Sequence, residues 1–303
     1  MKKICTRKIA VSEIFEFISN SFFDKEFYIT GPSNFNNIIE NSIVLLTDRN
    51  YDCLKEEKHH ENVLFVSCKE IQGQNVLVTD TPELDFYKII NEFFMDDVIN
   101  IIDENVMIEN GARIGKNVSI GNNSFISGNV KIGNNCFIGK NVSIYGEVDI
   151  ASNVIIKDNV VINTNQFGFI LDDGAYIEKP SLGKTIIGKN VIIGNSSTIE
   201  QPLFGETIIG KNVKIDDLVN IGSESVIEDD VIISSGAVVC QNIRIGKNCQ
   251  IGVNTSIKSN VNIVENTMLG MGSVVIENID KEGKYAGNPI KLLERKGKDT
   301  WQV

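Results

Sequence analysis

The chain reads as mainly β: a parallel β-helix of hexapeptide repeats, with a small α/β domain before it and a short tail after it. Three observations carry that reading. Aliphatic residues stand every six positions from Ile102, Ile108 and Ile114 through to Ile162, again at Ile187, Ile193 and Ile199, and from Ile209 and Ile215 through to Val275. The tetrapeptide Ile-Gly-Lys-Asn recurs at 114–117, 138–141, 187–190, 209–212 and 245–248. Residues 1–100 lack the period altogether.

Residues 1–100 show short β-rich runs, Ile43–Leu46, Val63–Val66 and Val76–Val78, between helical patterns. Thr81-Pro82 supplies an N-cap and first-turn pair, and Phe86, Ile89, Ile90 and Phe93 form the stripe of the helix that follows. Over 101–280 the period is six, which contains the strand's two but not the helix's 3.6. One aliphatic side chain per short strand then points inward. Three hexads make an 18-residue coil, stacked at about 4.7–4.9 Å. The corners need positive φ, which Gly and Asn adopt most readily.

The register breaks twice. Ile162 to Ile187 is 25 residues and Ile199 to Ile209 is ten, neither a multiple of six. Residues 163–185 and 200–207 are therefore expected to leave the coil as loops, where binding groups concentrate. Residues 281–303 leave the hexad pattern and are expected to cap the open coil end.

Composition narrows the function. With 29 Lys+Arg against 40 Asp+Glu, the formal charge of −11 argues against a nucleic-acid binder with a basic surface. No apolar run approaches a membrane span of about 18 residues. Six cysteines without CxxC spacing read as reduced thiols and place the protein in the cytoplasm. The only histidines are the adjacent His59 and His60, outside the repeat and too few for a three-histidine zinc site; no metal is expected.

The hexads resemble those of the left-handed β-helix acyltransferases. The pattern is similar to that of the UDP-3-O-acylglucosamine N-acyltransferases in Gln166-Phe167-Gly168-Phe169, Lys179–Gly183, Thr198-Ile199-Glu200, Gly205-Glu206-Thr207 and Asp216–Gly222. The segment Gly272–Val275 with Tyr285–Pro289 resembles nucleotide-sugar acetyltransferases instead. The resemblance implies a left-handed coil of about nine turns. It also implies a homotrimer with sites between subunits, and a uridine-type domain at residues 1–100.

The departures bear on mechanism. Ser223 stands where that family has its histidine base, and Asn260 where it has a second histidine. In the nucleotide site the family's aromatic and Asn are replaced by Leu45 and Asp48, with Tyr51 kept for stacking. A hydroxyl acceptor without a base loses about 10²–10⁴-fold. An amine with a pKa near 7.7–8.0 is partly neutral and already nucleophilic at neutral pH. The expected function is thus transfer of a small acyl group from acyl-CoA, acetyl-CoA foremost, to the amine of a nucleotide-linked amino sugar.

Residues 18 apart stack, so Ser223, Gln241 and Ser259 form one column and Glu224, Asn242 and Asn260 the next. The resemblance gives the backbone amide of Gln241 the oxyanion, with Ser223, Asp216 and Glu224 as further catalytic candidates. Phe167, Phe169, Glu200 and Asn220 are expected to contact the sugar. Ser259, Asn260, Gly270, Gly272 and Lys291 are expected to line the acyl-CoA. A lipid A-type enzyme fed by acyl-carrier protein and a non-catalytic trimeric scaffold stay open as alternatives.

Overall fold

The computed structural model describes residues 2–5, 7–19, 23–47, 50, 60–97 and 101–293. The chain divides into two compact units, Met1–Val98 and Ile99–Val303.

In the first unit Gly31–Pro32, Ser42–Leu45, Val63–Ser67 and Asn75–Val78 pair in that order as a parallel sheet. Alternate side chains serve opposite faces, as both covered faces of a parallel sheet require. Leu64 and Val66 join Ile43, Leu77, Phe86 and Ile89 in one cluster, while Val63 and Phe65 join Val44, Leu46 and Ile71 in another. Helices α1 (Val11–Ser19) and α2 (Pro82–Phe93) pack into the first of these. Pro82 opens α2 as the sequence predicts, but Thr81 makes no side-chain cap bond. Its hydroxyl donates instead to Asp85 Oδ2 at 3.0 Å, beside Thr79 at 2.5 Å. Those bonds, that from Thr79 foremost, hold the Asp85 carboxyl below its ordinary pKa.

The second unit is a left-handed β-helix with three parallel faces. The first face has nine strands, from Met107–Ile108 to Val274–Val275; the second has eight, from Arg113–Ile114 to Asn262–Ile263. The third has ten, because Gly283–Ala286 and Lys291–Leu292 extend it beyond Thr267–Leu269. Gly283–Ala286 and Lys291–Leu292 are thus added strand at that end of the third face.

Register follows the hexads. Ile126 lies over Ile144, then Ile162, Ile199 and Ile221, all fully buried. Each such side chain contributes about 1.5–3 kcal/mol by leaving water. The corners carry the predicted left-handed residues. Asn117, Asn135, Asn153, Asn190 and Asn212 have φ between 54° and 61°. Their amides form a ladder, with Asn117 Nδ2 donating to Asn135 Oδ1 at 3.1 Å, Asn135 to Asn153 at 3.2 Å and Asn153 to Asn190 at 3.2 Å.

Both register breaks open at the corner between the first and second faces. The excursions are shorter than the arithmetic suggests, because Val161–Asn165, Lys184–Ile187, Thr198–Gln201 and Glu206–Ile209 stay paired as strands. Thr185 and Thr207 are fully buried and paired with each other. What leaves the coil is 166–183 and 202–205. The longer excursion carries an antiparallel hairpin, Phe169–Asp172 with Ala175–Glu178.

Candidate functional site

The two excursions are bound to each other and to the same coil. The N–H groups of Leu182, Gly183 and Lys184 donate to the carbonyls of Leu203, Pro202 and Gly205, each at 2.9 Å. Only glycine fits at 183: a Cβ there would lie 2.5 Å from Pro202 Cγ. Gln201 Nε2 reaches the Gly183 carbonyl at 2.9 Å, and Thr185 Oγ1 reaches Asn163 Oδ1 at 2.6 Å.

Ser223 stands at the centre of this network. Its side chain is fully buried, and its hydroxyl donates to Gln166 Oε1 at 2.8 Å. The backbone N–H of Gln166 in turn donates to Ser181 Oγ at 3.1 Å. The N–H of Ser223 donates to Glu200 Oε2 at 3.2 Å, and the N–H of Glu224 to Thr207 Oγ1 at 3.0 Å. Thr207 Oγ1 then donates to the Glu200 carbonyl at 3.3 Å. One dipeptide, Ser223-Glu224, therefore anchors both loops.

One coil further on, Gln241 is half-buried, and its N–H meets no acceptor among the described residues. A free backbone donor is a group that can stabilise developing negative charge. Glu224 has φ 59°, a strained value for a residue other than Gly or Asn.

The remaining sequence candidates are placed as follows. Asn260 belongs to a corner ladder, accepting from Asn242 Nδ2 at 2.7 Å, and Ser259 beside it is half-buried. Asn220 accepts from Thr198 Oγ1 at 2.7 Å on the first face. Phe167 is 81% exposed, whereas Phe169 packs edge-on between Phe167 and Tyr176 within the hairpin. Asp216 lies at the opposite end of the strand Asn220–Ile221, on the corner between the third and first faces. The Ser235 hydroxyl donates to it at 2.5 Å and holds its carboxyl below the ordinary range. Gly272 shares that corner and faces open space, while Gly270 lies under Ala286, 3.0 Å from a would-be Cβ. Lys291 is exposed on the last added strand, opposite Ala286. Leu45 packs against the first unit's core. Asp48 and Tyr51 lie outside the described residues.

Within this chain, then, Ser223, Glu224, Glu200, Gln241, Ser259 and Asn260 share the loop corner. Asp216, Gly270 and Gly272 occupy another. Gln166 and Thr207, the buried polar residues that tie the loops down, were visible in the sequence only as parts of motifs. A groove of about 540 Å³ lies elsewhere, along the second face beside Arg113, Lys131, Lys189 and Lys211, and does not coincide with this corner. Among the described residues no group of three His, Cys, Asp or Glu is placed to hold a metal ion. None of the described helices is long and apolar enough to cross a membrane.

Comparison with known proteins adds the family context. A model described as the hexapeptide repeat of succinyl-transferase matches residues 242–277, and one described as the GMPPB C-terminal domain matches 122–227. No curated protein sequence matches the chain. Among solved structures, UDP-N-acetylglucosamine acyltransferase from Campylobacter jejuni is 23% identical with a TM-score of 0.57, covering 64% of this chain and 74% of its own. The enzyme of the same description from Bacteroides fragilis 9343 gives 22% and 0.57 over the same shares. AntD, an N-acyltransferase from Bacillus cereus in complex with dTDP and 3-hydroxybutyryl-CoA, gives 20% and 0.28 over 65% of this chain and 79% of its own. By its repeats and its coil, this chain has a left-handed β-helix fold, shared with the two UDP-N-acetylglucosamine acyltransferase structures.

Proposed function

We propose that the protein is an acyl-CoA-dependent N-acyltransferase, acting in the cytoplasm as a homotrimer on the amine of a nucleotide-linked amino sugar for surface glycan synthesis. The observation that carries this reading is the loop corner. A free Gln241 N–H stands two coils from Glu200, whose carboxylate is fixed by the N–H of Ser223 on the coil between them, with Ser223 in place of a base.

The chemistry follows from what these groups offer. Attack on a thioester puts negative charge on the carbonyl oxygen, and a preorganised N–H such as that of Gln241 is worth about 10²–10³-fold at that position. The Ser223 hydroxyl is already committed to Gln166, so it serves the loop and takes no proton from the acceptor. Position 223 therefore gives a hydroxyl acceptor no activation before attack, whereas an amine with a pKa near 7.7–8.0 is already partly neutral and attacks unaided. In this reading Asp216, Gly272 and Lys291 of one subunit line the donor side, Lys291 as a charge for the CoA phosphates. The corner residues of a neighbouring subunit line the acceptor side. Gly270 sits beneath the added strand, against Ala286, and shapes that wall. In the first unit, Tyr51 stacks on the base and Asp48 accepts an N–H from it.

The test is turnover of a panel of UDP-, dTDP- and GDP-linked amino sugars with acetyl-CoA, alongside thermal shift and light scattering. The expected result is acetylation of one acceptor by a trimer. Saturating ligand at 100 times its Kd should add about 2.7 kcal/mol of stability. A stable monomer unmoved by every ligand is the outcome for a scaffold, and turnover only with acyl-carrier protein that for a lipid A-type enzyme.

A further inference from the structure

We infer that Glu200 is the carboxylate that faces the acceptor nitrogen and receives its proton, doing from a neighbouring coil what the residue at position 223 does not. The inference rests on the N-acyltransferase reading and names a catalytic residue within it.

Four observations converge on this side chain. Glu200 is half-buried at the foot of both loops, on the strand Thr198–Gln201 that leads into the shorter one. Its Oε2 is held by the Ser223 N–H at 3.2 Å, and its carbonyl by Thr207 Oγ1 at 3.3 Å, so the residue is fixed at both ends. Among the described residues its Oε1 receives no hydrogen bond, and no Lys, Arg or His lies within 4.0 Å of its carboxylate. A half-buried carboxylate with one oxygen anchored and the other open is poised for a donor from outside the chain. Finally, the amide that holds it belongs to the coil directly beneath Gln241, about 4.8 Å away along the axis. Glu200 and the free Gln241 N–H can then flank one reacting centre, one at its developing positive end and one at its developing negative end.

Asp216 and Glu224 fit the role less well. The Asp216 carboxylate takes a hydrogen bond from Ser235 and sits at another corner. Glu224 lies in the column of Asn242 and Asn260, whose amides run up the outer edge of the coil.

The step balances as follows. The neutral amine attacks the thioester carbon, forming the C–N bond while the carbonyl π pair moves to oxygen against the Gln241 N–H. Nitrogen becomes positive, and one of its protons passes to the Glu200 carboxylate. The intermediate collapses, the C–S bond breaks, and the pair leaves on sulfur. The Glu200 proton then goes to that thiolate, giving amide and thiol and restoring the carboxylate. Because nitrogen is charged only after attack, the carboxylate acts on the transition state more than on the bound amine, the condition for raising kcat.

The experiment is Glu200→Gln in the full-length protein, with acetyl-CoA and whichever nucleotide amino sugar the wild type acetylates. Gln keeps an oxygen for the Ser223 N–H, so Tm and oligomeric state should stay near wild type. The expected result is a fall of about 10²-fold or more in kcat and kcat/KM together, with KM little changed. Glu200→Asp should recover part of it. Retention of more than a third of kcat by Glu200→Gln, or a 10²-fold loss in Glu224→Gln instead, overturns the assignment and leaves the N-acyltransferase reading standing. A wild type inert toward every donor and acceptor overturns that reading, and this inference with it.

Discussion

Two corners of the same coil differ in what they do with their polar groups. At the corner between the second and third faces the repeat is strict. Asn117, Asn135, Asn153 and Asn190 bond one another, and the N–H groups of Lys116, Asn134 and Lys211 are capped by Asn134, Ser152 and Asp229 one coil on. Those groups are spent on the coil. At the corner between the first and second faces the repeat breaks, Ser223 and Glu224 hold the loops, and the Gln241 N–H is left over. The same architecture repeats one ladder at the first of these corners and anchors two loops at the second, and it is beside the loops that side chains from separate coils converge where a ligand can bind.

The contrast can be sharpened by substitution, the largest effect coming from the strict core. Ile156→Ala, at a fully buried hexad position, should cost about 2–5 kcal/mol in urea unfolding, since a rigid coil cannot collapse around the cavity. A cost under 1 kcal/mol would mean that the interior relaxes. A smaller effect of opposite sign is expected where a corner column departs from Asn. Leu218 has φ 61° and is 67% exposed, in a column that also carries Asn123, Asn141, Asn159 and Asn254, with Ser196, Gly236 and Gly272 at its other positions. Leu218→Asn should therefore stabilise by about 1 kcal/mol. Loss of turnover in that variant would show that its strain is kept for the site.

The smallest effect is one of pH. Asp149 on the second face is held below its ordinary pKa, chiefly by Lys184, whose Nζ lies 2.6 Å away, with Lys131 adding to it. A depressed carboxylate pKa gives stability that is fully present above 3.8 and is lost as pH falls through the folded-state value. Unfolding followed at pH 6 and at successively lower pH should therefore show an acid-side decline that is shallower in Asp149→Asn. Equal declines would leave the ion pair without a role.

How much of this the sequence made legible depends on periodicity. The inward Ile column, the Asn corners and the position of both excursions all follow from spacing, because stacking at a fixed repeat leaves no freedom. The partners inside the excursions do not. Nothing in the spacing shows that Ser223 faces Gln166, 57 residues away in sequence, or that Phe169 packs between Phe167 and Tyr176. Thr207 looks like an end of a loop and is a buried strand residue, since its hydroxyl satisfies the Glu224 N–H and the Glu200 carbonyl. Those contacts are long-range and non-periodic, so they emerge only once the coil is built.

The measurement that bears most directly on the account is kcat of Ser223→Ala with acetyl-CoA and the nucleotide amino sugar that the wild type accepts. Removing the hydroxyl leaves Gln166 Oε1 without its donor, so about 1–3 kcal/mol of stability should go. Because Ser223 anchors a loop and moves no proton, at least a tenth of kcat should remain, rising with pH as the acceptor amine deprotonates. A thousandfold loss of kcat in a folded trimer would contradict the account, because it would make position 223 the seat of catalysis.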